Sequence, residues 1–129
     1  MNTRTATVFL LVLGLVSAVA PVYAHHGAAS YDNTKSVTIK GTITDFLFTN
    51  PHAQIYFDAK DDSGTVQHWA LELGSPSWLV RKNWTRHSLK AGDEATFVAH
   101  PNKDANVRVM SLVKVTLPNG DELDNGQPQ

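Results

Sequence analysis

A chain of 129 residues with 42% apolar and 18% charged residues has the composition of one globular domain and leaves no room for a second. Its formal charge is -1, and without Arg4 ten basic residues face twelve acidic ones, which argues against a nucleic-acid surface. Cysteine is absent, so disulfides, thiolate metal sites and cysteine nucleophiles are excluded. Histidine and carboxylate side chains remain as metal ligands.

The first 24 residues have the pattern of a secretory signal peptide. Arg4 is followed by a short apolar run over residues 8–16, and Val22-Tyr23-Ala24 has small or apolar residues at the positions that a signal peptidase reads. The run is shorter than the ~20 residues of a membrane span. The pattern predicts cleavage after Ala24 and a mature protein that is periplasmic or secreted, with no membrane span. An uncleaved membrane anchor is the alternative.

Three strands are predicted after an irregular arm over residues 25–36, in which Tyr31 is the obvious anchor. Apolar residues alternate from Val37 to Ile43, and the alternation slips by one place near Asp45, which indicates a bulge in a long first strand. Alternation resumes over residues 53–59 after the break at Asn50-Pro51, and again over residues 66–73 after a turn at 61–64.

A short helix and two more strands complete the predicted domain. Ser75 and Pro76 predict a helix start, and the helix is expected to run for about two turns, to Asn83. Strands follow at 94–100 and 107–117, with a last hairpin onto Leu123 and a disordered tail over residues 125–129. The order β-β-β-α-β-β over residues 37–124 predicts an all-β, five-stranded OB-fold-like barrel.

Two finer expectations follow from this fold. The N-terminal part of the first strand is expected to pair with the second strand, and its C-terminal part with the fourth. The predicted core consists of the apolar side chains Ile55, Phe57, Leu71, Leu79, Phe97 and Val109.

A series of short motifs stands in one order along the mature chain: His25-His26-Gly27, Tyr31-Asp32, Gly41-Thr42-Ile43, Asn50-Pro51-His52-Ala53, Trp69, Gly74-Ser75-Pro76 and Trp84-Thr85. In their order and spacing these motifs resemble domain-of-unknown-function family 6152, a set of small exported bacterial proteins. The resemblance implies no activity, ligand or catalytic residue. Two positions depart from the family pattern, since Gln54 stands where an aromatic residue is common and Asn83 where glycine is common.

Candidate ligand-binding residues cluster around the connection between the first two strands, one of the loops that OB-folds use for ligands. We predict roles for Asn50, His52, Trp69 and Glu72. Each has a structural alternative: His52 as a partner of neighbouring backbone groups, Trp69 as part of the core, and Glu72 as an ordinary exposed strand residue.

A metal site is the second candidate. Cleavage before His25 would leave an α-amine that titrates near ~8 beside imidazoles that titrate near ~6.5, so these groups can release protons to a metal at neutral pH. Nitrogen ligands in a flat arrangement favour Cu(II). We therefore predict a copper site formed by His25 and His26, with His52 as an addition across the barrel. The alternative is that both histidines lie in a flexible arm without a ligand.

Three functions remain open at this point. The first is an exported OB-like binding module for an unknown small molecule, glycan or protein partner. The second is a periplasmic copper-binding protein, and the third is a metal-dependent enzyme built on the same site. No serine nucleophile motif, phosphate loop or dinucleotide fingerprint is present in the sequence, so a binding protein is favoured over an enzyme. We expect the protein to be a monomer.

Overall fold

A computed structural model describes residues 27–125 of the chain. A 3₁₀ turn at Ala28–Ser30 is followed by six strands and one helix. In chain order these are β1 Val37–Leu47, β2 Gln54–Lys60, β3 Val66–Glu72, α1 Pro76–Val80, β4 Glu94–His100, β5 Val109–Thr116 and β6 Glu122–Asp124.

The strands form a single sheet that closes on itself. Neighbouring strands follow the order β3-β2-β1-β4-β5-β6, and a parallel pairing of residues 70–72 of β3 with residues 109–111 of β5 joins the two ends. The predicted five-stranded OB-like barrel with one short helix between its third and fourth strands is confirmed. The predicted last hairpin is also present, because β6 pairs with β5 across the turn at 117–121.

The two halves of β1 have different partners, and the predicted assignment of those partners is wrong. Residues 37–42 pair with β4, whereas residues 42–47 pair with β2. Connectivity explains the correction. The segment between β1 and β2 is short, so the end of β1 must lie beside the start of β2 in an antiparallel hairpin. The N-terminal half of β1 is then left for β4.

The bend in β1 combines a bulge with a glycine. The register with β2 shifts between Ile43 and Asp45, where the alternation of the sequence slips. Next to this shift, a Cβ atom on Gly41 would lie 2.5 Å from Cδ2 of Phe57 and 2.6 Å from the carbonyl oxygen of Asp58. β2 therefore lies so close to β1 at position 41 that only glycine, which has no Cβ, fits there.

The barrel interior is filled by aliphatic and aromatic side chains from every barrel strand. The rings of Phe57 and Phe97 lie 4.4 Å apart between centroids and fill its middle. Five of the six predicted core residues are fully buried: Ile55, Phe57, Leu71, Leu79 and Phe97.

Val109 is the exception in the predicted core, because it is only partly buried and Met110 takes the interior position. The alternation of valines along β5 suggested one unbroken face. A register shift against β4 between Val98 and Ala99 changes the phase of β5, so Met110 and Leu112 point inward before the shift and Val115 after it.

Helix α1 is shorter than predicted and comprises Pro76–Val80. Ser75 is its N-cap residue, but its side chain makes no capping hydrogen bond. The helix ends because Asn83 adopts a left-handed conformation with φ 65°, and the N–H of Trp84 donates to the carbonyl of Leu79 at 3.1 Å. This conformation explains why glycine suits the position of Asn83.

Both ends of the described chain are held against the barrel. In the arm, Tyr31 is buried and forms a bridge with Asn102. At the other end, Asn125 was assigned to the disordered tail but is buried, because its Oδ1 accepts a hydrogen bond from the N–H of Gly74 at 2.7 Å. The predicted signal peptide and residues 126–129 lie outside the described residues. Between residues 27 and 125, no helix is long and apolar enough to cross a membrane.

Replacing Leu71 by alanine should lower the free energy of unfolding by about 2–5 kcal/mol, because the fully buried side chain would leave a cavity. Urea denaturation measures the change. The control is Val80→Ala, whose side chain is exposed and whose replacement should change stability by no more than about 0.5 kcal/mol. A loss below ~1 kcal/mol for Leu71→Ala would contradict its position in the core.

The conformation of Asn83 predicts an order of stability among three residues at this position. Alanine should be less stable than asparagine by about 1 kcal/mol, since a Cβ without a polar side chain is disfavoured at positive φ. Glycine should be at least as stable as asparagine. Thermal unfolding of Asn83→Ala and Asn83→Gly tests this order, and a more stable alanine variant would exclude the left-handed conformation.

Candidate functional site

The loop between β1 and β2, residues 48–53, carries the Asn-Pro-His motif at its tip. Asn50 is exposed, and the peptide bond between Asn50 and Pro51 is cis. The end of the loop is fixed by two backbone hydrogen bonds, from the N–H of Ala53 to the carbonyl of Gly74 and from the N–H of Leu73 to the carbonyl of Ala53. The segment that follows β3 therefore lies directly beside His52.

The ring of His52 is oriented by the backbone. Its Nδ1 lies 3.0 Å from the carbonyl oxygen of Leu73, and a carbonyl can only accept a hydrogen bond. In the neutral ring, Nδ1 therefore carries the hydrogen and Nε2 carries the lone pair. The side chain is 43% exposed. This contact agrees with the alternative that His52 serves as a hydrogen-bond partner of neighbouring backbone groups. It also leaves Nε2 free to bind a metal or accept a hydrogen bond.

Glu72 lies between the loop and the N-terminal arm. Its Oε1 is 3.7 Å from Nδ1 of His52, and its Oε2 accepts a hydrogen bond of 2.5 Å from the hydroxyl of Tyr31. The Glu72 side chain is only 20% exposed, so the expectation of an ordinary exposed residue is not met. Burial, the hydrogen bond to Glu72 and the charge of that carboxylate, in that order, raise the pKa of Tyr31 well above its ordinary value.

Polar side chains continue from Glu72 along the outer surface of the sheet. Gln54 is the cross-strand partner of Glu72, and it accepts a hydrogen bond of 2.7 Å from the hydroxyl of Tyr56. On the other side, Ser111 pairs with Glu72 through the parallel β3–β5 ladder. Cross-strand partners project from the same face of a sheet. We define the outer site as Tyr31, His52, Gln54, Tyr56 and Glu72.

The structure does not bring Trp69 into this outer site. Side chains alternate along β3, so Trp69 shares the inner face with Leu71, and it packs partly buried against the core. Its position agrees with the alternative that Trp69 is part of the core. His25 and His26 lie outside the described residues, whereas Asn50, His52 and Glu72 lie within one region of the surface.

The other histidines have separate surroundings. His68 lies at the far end of the β2–β3 pair, where its Nδ1 is 2.6 Å from Oδ1 of Asp58 and its side chain is 83% exposed. His100 donates from Nδ1 to the carbonyl of Lys35 at 2.7 Å. Among residues 27–125, no three histidine, aspartate or glutamate side chains are close enough together to hold a metal ion.

A concavity of about 480 Å³ lies elsewhere on the surface, where β1 and β2 diverge. Both signs of charge surround it, and Lys40 forms an ion pair with Glu94 at 3.5 Å. None of the predicted site residues contributes to its lining, which consists of Lys40, Gly41, Thr42, Asp58, Ala59, Lys60, Val66 and Glu94. Its charges are balanced, since Lys40 and Lys60 lie opposite Asp58 and Glu94 in the lining.

Tyr31, Gln54 and Tyr56 are the residues of the outer site for which the sequence predicted no role in a site. Tyr31 was predicted as the anchor of the arm, but 41 positions separate it from Glu72. No local pattern marks a contact across that distance. Gln54 and Tyr56 lie on the outer face of β2, and the alternation of polar and apolar residues along this strand was the available signal.

These features define a small OB-type barrel with a polar, partly buried site where its first loop, its third strand and its N-terminal arm meet. The chain belongs to the Family of unknown function (DUF6152), which it matches over residues 12–111. No curated protein and no solved structure matches it.

The raised pKa of Tyr31 predicts a loss of stability in alkaline solution. The unfolded chain releases the phenolic proton near pH ~10 and the folded chain only at higher pH, so the folded state binds more protons above pH ~10. This difference lowers the free energy of unfolding by up to about 1.4 kcal/mol per pH unit.

The Tyr31→Phe variant should lack this contribution, whereas Tyr56→Phe should keep it. Urea denaturation of the three proteins from pH ~9 to ~11.5 gives the slopes. Parallel slopes for the wild type and Tyr31→Phe would contradict the raised pKa.

Proposed function

We propose that the protein is an exported binding module and that its ligand binds at the outer site, between loop 48–53 and the N-terminal arm. The observation that carries this proposal is the position of Glu72, whose two carboxylate oxygens face His52 of the loop and Tyr31 of the arm. OB barrels bind ligands with the face of their second and third strands and with the adjoining loops. The polar groups of this chain lie on that same face.

The exposed groups indicate the chemistry of the ligand. His52 offers an acceptor at Nε2, Glu72 an acceptor with limited exposure, and the Gln54–Tyr56 pair a combination of amide, hydroxyl and aromatic ring. Asn50 extends the polar edge of the loop. Such a surface suits a polar small molecule, a glycan or a segment of a partner protein, bound by one copy of the chain. Export is supported by the pattern of the first 24 residues.

The test begins with untagged protein purified from a periplasmic fraction. Native mass spectrometry detects a retained small molecule, and elemental analysis of the same sample detects a retained metal. In a second step, amide chemical shifts are recorded while a panel of glycans and short peptides is added.

We expect the shift changes to concentrate at residues 50–56 and 70–72, and to be lost in His52→Ala. His68→Ala is the matched control, because this exposed histidine lies in β3 and pairs with Asp58 of β2, away from the outer site. Shift changes confined to the concavity between β1 and β2 would contradict the proposal.

Copper binding is a second candidate, and the contact between Tyr31 and Glu72 favours it. The contact holds Tyr31 on the side of the barrel where His52 lies, and Tyr31 follows His26 by five residues in the chain. The described residues hold no metal cluster of their own, so a site would need the ligands of the arm. After cleavage before His25, its amine, its ring and the ring of His26 would provide nitrogen ligands that suit Cu(II).

Intact mass spectrometry first establishes whether the mature chain begins at His25. Copper is then titrated into this protein and into a version with one alanine added ahead of His25. Weaker binding and a changed electron paramagnetic resonance spectrum in the extended protein are the expected results. Equal affinity and identical spectra would remove the terminal amine from the site. A metal-dependent enzyme on the same site would in addition have to turn over a substrate in the copper-loaded state.

A further inference from the structure

Acidic side chains predominate in the part of the chain that builds most of the outer site. Residues 41–80, which run from the middle of β1 to the end of α1, contain five acidic residues and a single basic one, Lys60. Residues 81–125 contain six acidic and seven basic residues. The total charge of the protein is close to zero, but the strands around the outer site carry a local excess of negative charge.

Two of these carboxylates flank the polar pair of β2 on the outer face. Asp45 of β1 is the cross-strand partner of Tyr56, and Glu72 of β3 is the cross-strand partner of Gln54. Cross-strand partners lie side by side on one face of a sheet. The hydroxyl of Tyr56 donates to Oε1 of Gln54 at 2.7 Å, so the tyrosine side chain extends towards the row that contains Glu72. An aromatic ring therefore lies between two carboxylates.

The two oxygens of Glu72 differ in their hydrogen bonding. Oε2 accepts a hydrogen bond from the hydroxyl of Tyr31, whereas Oε1 accepts none from any group in residues 27–125. Nδ1 of His52 lies 3.7 Å from Oε1, but its hydrogen is directed to the carbonyl of Leu73. A partly buried carboxylate oxygen without a donor is unfavourable, and a ligand that brings an N–H group to it relieves that cost.

No lysine or arginine of the described part of the chain neutralises Glu72. Arg108 precedes β5, where its carbonyl accepts the N–H of Ala70, but its exposed side chain forms no ion pair within residues 27–125. The ion pairs that involve lysine use Lys35, Lys40, Lys82 and Lys114, each with an acidic residue other than Glu72. The charge of Glu72 is therefore left for a cation that comes from outside this part of the chain.

We propose that the ligand of the outer site is an organic cation, whose ammonium or guanidinium group donates to Oε1 of Glu72 and lies against the ring of Tyr56. The inference rests on the binding function proposed above and specifies the chemical class of the ligand. Cations are attracted to the faces of aromatic rings, and hydrogen bonds between charged groups are stronger than those between neutral ones. Asp45 adds negative charge beside the ring. The hydrogen bond from Tyr31 fixes the carboxylate before the ligand arrives, which lowers the entropy cost of binding.

Such a cation has two sources with the same chemistry, a free polyamine and a lysine or arginine side chain of a partner protein. The probes are spermidine and the peptides Gly-Arg-Gly and Gly-Lys-Gly, with both peptide ends capped to remove other charges. Capped Gly-Gln-Gly and a neutral trisaccharide are the uncharged probes. Amide chemical shifts of the purified protein are recorded during each titration. We expect the cations to shift residues 54–56 and 70–72, with affinities that fall several-fold between about 0.05 and 0.3 M salt, and the uncharged probes to leave these residues unchanged.

Variants separate a specific contact from general attraction to an acidic surface. Glu72→Gln still offers an acceptor to Tyr31 but lacks the charge, and it should bind the cations about 10-fold more weakly. The matched control is Asp62→Asn, which removes the same charge from an exposed turn of the same acidic part of the chain. This control should change affinity less than about 2-fold.

The aromatic contact is tested separately. Tyr56→Leu removes the ring and should weaken binding about 3-fold, whereas Tyr56→Phe keeps the ring and should bind as the wild type does. Urea denaturation establishes that each variant is folded under the conditions of the titrations.

The outcomes distinguish this inference from the function on which it rests. If only an uncharged probe shifts the outer site, the ligand class is wrong while the proposed binding site stands. If every probe acts elsewhere on the barrel, or none binds, both proposals fail. Equal losses of affinity in Glu72→Gln and Asp62→Asn would exclude the specific contact with Glu72. If the inference holds, tighter binding of spermidine than of the two peptides identifies a free polyamine as the source, and the reverse order identifies a side chain of a partner protein.

Discussion

The fold depends on the ability of β1 to pair with two strands at once. Thr42 is the point of change, since it pairs with Asp58 of β2 and with Glu94 of β4. The bend needs the close approach of β2 at Gly41, where a Cβ would lie 2.5 Å from the ring of Phe57. The bend curls the sheet around β1, and this curvature allows β3 to reach β5 and close the barrel.

Closure has a direct consequence for the surface. The parallel ladder between β3 and β5 places Glu72 beside Ser111, and it brings the loop that precedes β5 next to the end of β3. The arm lies along that loop, and the hydroxyl of Tyr31 in the arm donates a hydrogen bond to Glu72. Loop 48–53 reaches the same place from the other side, because β2 starts opposite the end of β3. The outer site therefore forms only when the barrel closes, because its residues come from several elements of the chain.

The same geometry explains why one carboxylate matters for both proposed functions. Glu72 is partly buried and contacts the loop and the arm, so it links the conformation of the arm to the ring of His52. A ligand on the outer face would meet these groups directly, and a metal carried by the arm would meet His52. In either case the barrel provides a rigid support for the groups that the loop and the arm place at its surface.

The sequence by itself determined the element order, the bulge in β1 and most of the core. Alternation over Ile55 and Phe57 and the helix start at Ser75-Pro76 are local signals, and periodicity within one element is enough to detect them. The prediction that Val109 is buried was wrong because β5 has a register shift against β4. Such a shift is a property of two paired strands and cannot be detected from the sequence of one. The predicted partners of β1 were wrong because the short loop after β1 places its C-terminal half beside β2, which leaves the N-terminal half to β4.

For the site, the sequence indicated His52 and Glu72 by residue type and position. Only the tertiary structure decided that Tyr31 reaches Glu72 and that Trp69 belongs to the core side of β3. The physical reason is that a hydrogen bond between residues 41 positions apart depends on how the closed sheet brings them together, and no pattern within either segment encodes that meeting.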